Sequence, residues 1–192
     1  MRIGLYFGSF NPVHNGHLAI AEFCKVKGLF DQIWLVVSPN NPFKNKEDLI
    51  SEEHRLNMVK LAIKGISYLH ACDIEFFLPK PSFTIHTLQK LAASYPSFDF
   101  SLLLGSDNIH NFHKWKDYEE ILRKYMIYVY PRYDNVIEHT LRHPHIVYLD
   151  APLLPISATS IRTALQLKKN VNEFLPDAVA RYIENHISTQ LN

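Results

Sequence analysis

"RIGLYF" (2–7) runs directly into "GSFNPVHNGH" (8–17), and the ten residues after the apolar run hold two glycines, a proline and two histidines three positions apart. A short run rich in aliphatic and aromatic residues reads as a buried strand. Beyond the loop, Ile20, Phe23 and Cys24 stand at i, i+3 and i+4, the spacing of one helical face. Gly8 lets backbone approach a ligand closely, and Gly16 allows the same contact just before the helix. A helix start offers unpaired N–H groups and partial positive charge, which suits phosphate. His14 and His17 share one face of the first turn, so both imidazoles can reach one phosphate chain. A polyphosphate is the ligand these residues ask for.

The same alternation continues outward. Strands are expected at 32–37, 69–77, 99–105, 126–130 and 146–150. Between them, Leu56, Val59 and Ile63 share a helical face, as do Ile85, Leu88 and Ala92, and later Val179, Tyr182 and Ile183. Ser51 followed by Glu52 and Glu53 is a helix start, a hydroxyl cap with acids facing the positive dipole end. Pro96 marks a helix exit and Pro176 precedes the last helix. Strands alternating with helices imply an α/β, Rossmann-like doubly wound parallel sheet with helices on both faces. The expected organisation is a single domain over 1–192 with a C-terminal helical portion from about 157. The irregular stretch at 38–50 leaves the carboxyl end of a strand, where ligands bind in such sheets.

Composition narrows the partners. The 192 residues are 47% hydrophobic and 20% charged, with a formal net charge of +1. That balance gives no broad pull toward nucleic acid or membrane, so anion binding has to be local. No apolar run approaches a membrane span, and "MRIGLYF" lacks the length and cleavage site of a secretory signal. Cys24 and Cys72 lie in apolar segments without CxxC spacing and read as reduced core thiols. A cytoplasmic protein is expected. No GxxxxGK[ST] occurs, which weighs against a P-loop enzyme, and no GxGxxG follows the first strand, which weighs against a bound dinucleotide cofactor. A helix-capping or metal-binding histidine pair is the competing reading of His14 and His17, but no carboxylate or cysteine stands at ligand spacing. No metal ligand is assigned.

A second signal is "ISATSIR" (156–162). Ser157, Thr159 and Ser160 are hydroxyls at a helix entry and Arg162 lies on its first turn, a second anion cradle. Alone, it reads as an ordinary Ser/Thr cap with a surface arginine. Together with the first loop, two helix starts could converge on one triphosphate.

These residues carry a resemblance. "GSFNPVHNGH" is similar to the GxFxPxHxGH signature of the nucleotidyltransferase superfamily, and "ISATSIR" to its ISxTxxR signature. "PSFTIHTLQKL" (81–91) resembles the PSYTxDTL segment of the bacterial nicotinate-nucleotide adenylyltransferases. "LLLGSDN" (102–108), "FHKWKDYEEIL" (112–122), "HRLNMVKLAI" (54–63) and "VARYIENH" (179–186) resemble further segments of that family. The resemblance implies transfer of AMP from ATP to nicotinate mononucleotide, giving deamido-NAD and pyrophosphate, with Mg²⁺ on the triphosphate. It implies catalytic roles for His14, His17 and Arg162. Gly8, Ser9, Phe10, Gly105, Asp107, Ser157 and Thr159 would hold the nucleotide. Lys44, Thr84, Trp115 and Arg132 would serve the acceptor or its phosphate, Thr84 at the nicotinate carboxylate and Trp115 stacked on the pyridine ring. Small-molecule substrates are thus the expected partners, and the oligomeric state stays open, a homodimer included. Asn11, His86, the missing proline before Trp115 and "PRY" (131–133) depart from the family pattern, near the acceptor more than the ATP.

Overall fold

Side chains on successive strand residues point to opposite faces, and here both faces are apolar. In the computed structural model, which describes residues 1–39, 49–132 and 141–187, six strands form one all-parallel sheet. They are β1 (Arg2–Gly8), β2 (Gln32–Val37), β3 (Leu69–Cys72), β4 (Asp99–Gly105), β5 (Met126–Tyr130) and β6 (Ile146–Tyr148), in the order β3-β2-β1-β4-β5-β6. Ile3, Leu5, Trp34, Val36, Leu102 and Leu104 feed one core, while Tyr6, Ile33, Leu35, Val37 and Leu103 feed the other.

Helices α1 (Asn15–Val26), α2 (Glu52–Ala62), α6 (Ala158–Gln166) and α7 (Asp177–His186) cover the Tyr6 face. Helices α3 (Thr84–Ser94), the short α4 (Ser106–Ile109) and α5 (Tyr118–Lys124) cover the Leu5 face. The fold is doubly wound, as expected. Leu88 is fully buried between α3 and the sheet, and cutting it to alanine would cost about 2–5 kcal/mol. Ser51 caps α2 by accepting from the His54 N–H at 3.3 Å, and α3 ends two residues before Pro96.

Two expected strands are too long. The run at 69–77 stops at Cys72 because its neighbour β2 ends at Val37, one residue past the Val36–Cys72 pair. With no ladder left to join, the chain turns into a 3-10 segment at Ile74–Phe77. The strand expected at 146–150 covers only Ile146–Tyr148, since β5 ends at Tyr130 and Pro131 follows. Cys24 and Cys72 are free and buried, and burial pushes their thiols up to about 12 and about 11. Among the described residues no helix is long and apolar enough to cross a membrane.

The order places β1 between β2 and β4. The chain leaves β1 toward α1 on one face and leaves β4 toward α4 and α5 on the other. Such a divergence opens a crevice at the carboxyl edge, where α/β sheets bind ligands.

Candidate active site

The loop after β1 turns sharply. Phe10 takes a left-handed backbone with φ of 47°, a conformation that costs a bulky residue on the order of 1 kcal/mol. Its ring drops into the core, edge-on to Tyr6 at 5.9 Å and to His17 at 5.0 Å. Gly8, Ser9 and Phe10 can therefore meet a ligand only through backbone or Ser9. Asn11 is buried, and its Oδ1 accepts from the Ile50 N–H at 3.2 Å.

Beneath this loop lies Arg55 of α2, 1% exposed. Its guanidinium donates to the backbone oxygens of Ser9 and Ser38 at 2.7 Å each, of Pro39 at 3.0 Å and of Ile50 at 2.9 Å. Burial pulls this arginine down to about 10, which still leaves it a cation at neutral pH. Its role was invisible in the sequence.

His14 and His17 stand at the start of α1 with ring centroids 3.7 Å apart. The His14 backbone N–H donates to His17 Nδ1 at 3.2 Å. With Nδ1 used as an acceptor, the neutral His17 ring carries its proton on Nε2. His14 is buried, and its Nδ1 has no hydrogen-bond partner among the described residues. Burial, with the nearby Arg132 charge, pulls His14 down to about 3. His14 stands at the N-cap of α1, and the bond from its N–H to His17 Nδ1 belongs to a capping box, so the pair serves the helix start as well as facing the cavity. A Cβ at Gly16 would stand 3.0 Å from the His14 ring, so a side chain there would make that ring give by a few tenths of an ångström.

Both imidazoles line a cavity of about 210 Å³ together with Tyr6, Tyr130, Arg132, Ile156, Ser157 and Ser160. The Tyr6 hydroxyl donates to the Tyr130 hydroxyl at 3.0 Å, and burial raises both phenols. Neither tyrosine stood out in the sequence, where each is an ordinary strand aromatic. Arg132, read from sequence with the acceptor residues, lies in this histidine cavity. Its backbone N–H donates to Ser106 Oγ at 3.0 Å, and its guanidinium faces Asp107 at 3.8 Å. Gly105 closes β4 beside them, and a Cβ there would collide with the Asp107 carboxylate and stand 2.8 Å from Arg132 Cδ. Asp107 caps no helix, as its partners are Arg132 and the Asn108 amide.

The second signal meets the first. Ser157 caps α6, its Oγ accepting from the Ser160 N–H at 3.0 Å, while the Ser160 hydroxyl donates to the Ser157 oxygen at 2.8 Å. Thr159 is exposed on the first turn, its Oγ1 3.5 Å from Arg162 Nη2. Arg162 Nη1 donates to the Asn11 backbone oxygen at 3.0 Å. Arg162 thus grips the loop while Ser157 and Ser160 line the cavity.

Thr84 opens α3 and Trp115 follows a 3-10 turn at Phe112–Lys114, both half-buried on the opposite face from α1. Trp115 packs on Phe112 at 5.1 Å. The Lys116 ammonium sits 4.9 Å from the centroid of the Phe83 ring, which joins the segment after Trp115 to the residue before Thr84. Lys44 lies outside the described residues.

Known proteins share this arrangement. The Cytidylyltransferase-like family matches residues 5–164. A probable nicotinate-nucleotide adenylyltransferase of Flavobacterium psychrophilum is 45% identical over 187 residues, 96% of this chain and 97% of the relative. One of Bacteroides fragilis is 44% identical, over 95% of this chain and 90% of the relative. The chain belongs to the Cytidylyltransferase-like family and, within it, to the nicotinate-nucleotide adenylyltransferases. A solved Plasmodium falciparum nicotinic acid mononucleotide adenylyltransferase, complexed with NaAD, superposes with a TM-score of 0.84 at 21% identity, covering 100% of this chain and 98% of that one. A putative nicotinate-nucleotide adenylyltransferase of Vibrio parahaemolyticus gives 0.68 at 22% identity, over 96% and 92%. These two likenesses establish the shared fold. The Ser157 and Ser160 hydroxyls of this cavity are already committed to the α6 cap.

Proposed function

We propose that this cavity holds ATP and that the chain transfers AMP from it to nicotinate mononucleotide, releasing pyrophosphate and forming deamido-NAD. The acceptor's own phosphate attacks the α-phosphorus. Its second ionisation lies near about pH 6, so at neutral pH it needs no base to activate it. What remains for the protein is to align the two phosphates and to stabilise the charge on the departing pyrophosphate. The observation that carries the reading is the convergence of both signatures, with His14, His17 and Ser157 in one cavity and Arg162 bonded to Asn11.

Roles follow from position. His17 offers its Nε2–H, and the His14 ring beside it lines the same cavity, within reach of phosphate oxygens. A bound triphosphate brings the negative charge that draws a proton back toward His14. Arg132 adds a cation from the β5 edge, and the free N–H groups that begin α6 complete the cradle. Gly8, Ser9, Gly105 and Asp107, at or just after the carboxyl ends of β1 and β4, hold the nucleotide. On the far side, Thr84 at the start of α3 receives the nicotinate carboxylate, with Trp115 against the ring. Among the described residues no group of three or more His, Cys, Asp or Glu could hold a metal ion. Mg²⁺ enters with the nucleotide substrate, held chiefly by phosphate oxygens and water, where it neutralises charge.

The test is direct. Incubation with ATP, Mg²⁺ and either pyridine mononucleotide, followed by product mass, should show deamido-NAD formed from the nicotinate acceptor far faster than NAD from the amide. Equal kcat/KM for both acceptors would remove the carboxylate contact at Thr84. No pyrophosphate release with either acceptor would remove the reaction.

A further inference from the structure

Glu75 is a buried acid outside the cavity, 3% exposed within the 3-10 turn after β3. Its Oε1 accepts from Thr87 Oγ1 at 2.8 Å and its Oε2 from Ser82 Oγ at 3.0 Å. The Ser38 hydroxyl also faces this carboxylate and favours its charged form. Among the described residues its hydrogen-bond partners are hydroxyls, and no cation pairs with it. A buried acid without a counter-ion is costly, and an apolar residue would fill the space more cheaply. What the acid supplies is acceptor oxygens at fixed points.

Those points bracket the start of α3. Ser82 precedes Thr84 by two residues and Thr87 follows it by three. The cap position belongs to Phe83, whose side chain makes no capping bond. The entry of α3 is instead clamped from outside, by two hydroxyls held on one carboxylate.

The clamp continues to the other substrate's loop. The Ser38 N–H donates to the Gly8 oxygen at 2.9 Å. The Ser38 carbonyl accepts from Arg55, which also holds the Ser9 carbonyl. A partly buried polar path therefore runs from Gly8 and Ser9 through Arg55, Ser38 and Glu75 to Ser82 and Thr87. It joins the loop beneath the histidines to the helix start that carries Thr84.

We propose that Glu75 is a positioning residue for the acceptor, fixing the entry of α3, and so Thr84, against the nucleotide loop. This rests on the reaction proposed above. Thr87→Val keeps the shape of the side chain and removes its hydroxyl, while Thr87→Ser keeps the hydroxyl. Steady-state kinetics with both substrates should show the KM for nicotinate mononucleotide rising about tenfold in Thr87→Val. The KM for ATP should stay unchanged, and Thr87→Ser should stay close to the parent protein in both. Glu75→Gln, with one acceptor oxygen in place of two, should follow Thr87→Val. If Glu75→Gln does not fold, the Thr87 pair decides alone. An unchanged acceptor KM in Thr87→Val, a joint rise of both KM values, or an equal rise in Thr87→Ser each overturns the proposal. A parent protein that makes no deamido-NAD from nicotinate mononucleotide removes the underlying reaction and this proposal with it, whereas an active parent with an unaltered Thr87→Val removes only the role of Glu75.

Discussion

Arg162 Nη1 and the backbone oxygen of Asn11, 151 positions apart in sequence, are hydrogen-bonded at 3.0 Å. The last signature of the chain thereby grips the first, and the loop bearing the histidines is held from α6 as well as from α2. The second guanidinium nitrogen stays near Thr159 on the exposed side of the helix.

A planar fork can hold Asn11 with one nitrogen and reach a phosphate with another, which a lysine cannot. Arg162→Lys should lower kcat/KM for ATP about 10- to 100-fold, with a Tm only a few degrees lower. Kinetics at varied ATP, alongside a thermal melt, check this. A variant with full ATP efficiency would show that the bond to Asn11 is structural only.

His17 presents a fixed Nε2–H because its Nδ1 already accepts the His14 N–H. Removing one preorganised donor to developing charge costs about 10²–10³ in turnover. His17→Ala should lose that much kcat while keeping a cooperative melt. Turnover near that of the parent would dismiss the donor role.

Gly16→Ala places a methyl 3.0 Å from the His14 ring, which is itself stacked 3.7 Å from His17. The ring has to shift by a few tenths of an ångström. We expect kcat/KM for ATP to fall about tenfold, since small misplacements near reacting groups are costly. The same variant made in His14→Ala should show no further loss, and an additive loss would place the clash elsewhere.

His14 is held near 3 in the fold against 6.5 ordinarily, by burial first and Arg132 second. Below pH 6.5 the unfolded chain binds a proton that the folded chain refuses, so stability is full above pH 6.5 and drains as pH falls toward 3. At pH 5 the loss is about 2 kcal/mol. Urea midpoints at pH 7 and pH 5 should move further apart for the parent protein than for His14→Gln. Identical shifts in both would mean His14 is not the proton acceptor of acid unfolding.

Much of this was legible because it rests on side chains. The two-faced strands, the Ser51 cap and the loops bearing His14, His17 and Arg162 announce themselves through residue type and spacing. What escaped rests on backbone and register. Arg55 looks like any helical arginine, since its four partners are main-chain oxygens that leave no trace in composition. Arg132 reached the histidine cavity because Tyr130 pairs with Gly105 at the end of β4, a register no local pattern reveals. The strand at 69–77 was overlong because its apolar run continues past the point where its neighbour ends.

Among the described residues Arg55 donates only to main-chain oxygens, and every residue type supplies a carbonyl. As far as this contact is concerned, Ser9, Pro39 and Ile50 could each be exchanged without subtracting an acceptor, whereas position 55 tolerates no substitute with the same planar reach. Saturation mutagenesis read out by growth should therefore show a darker column at 55 than at 9, 39 or 50, with the fragility of this contact concentrated on one codon.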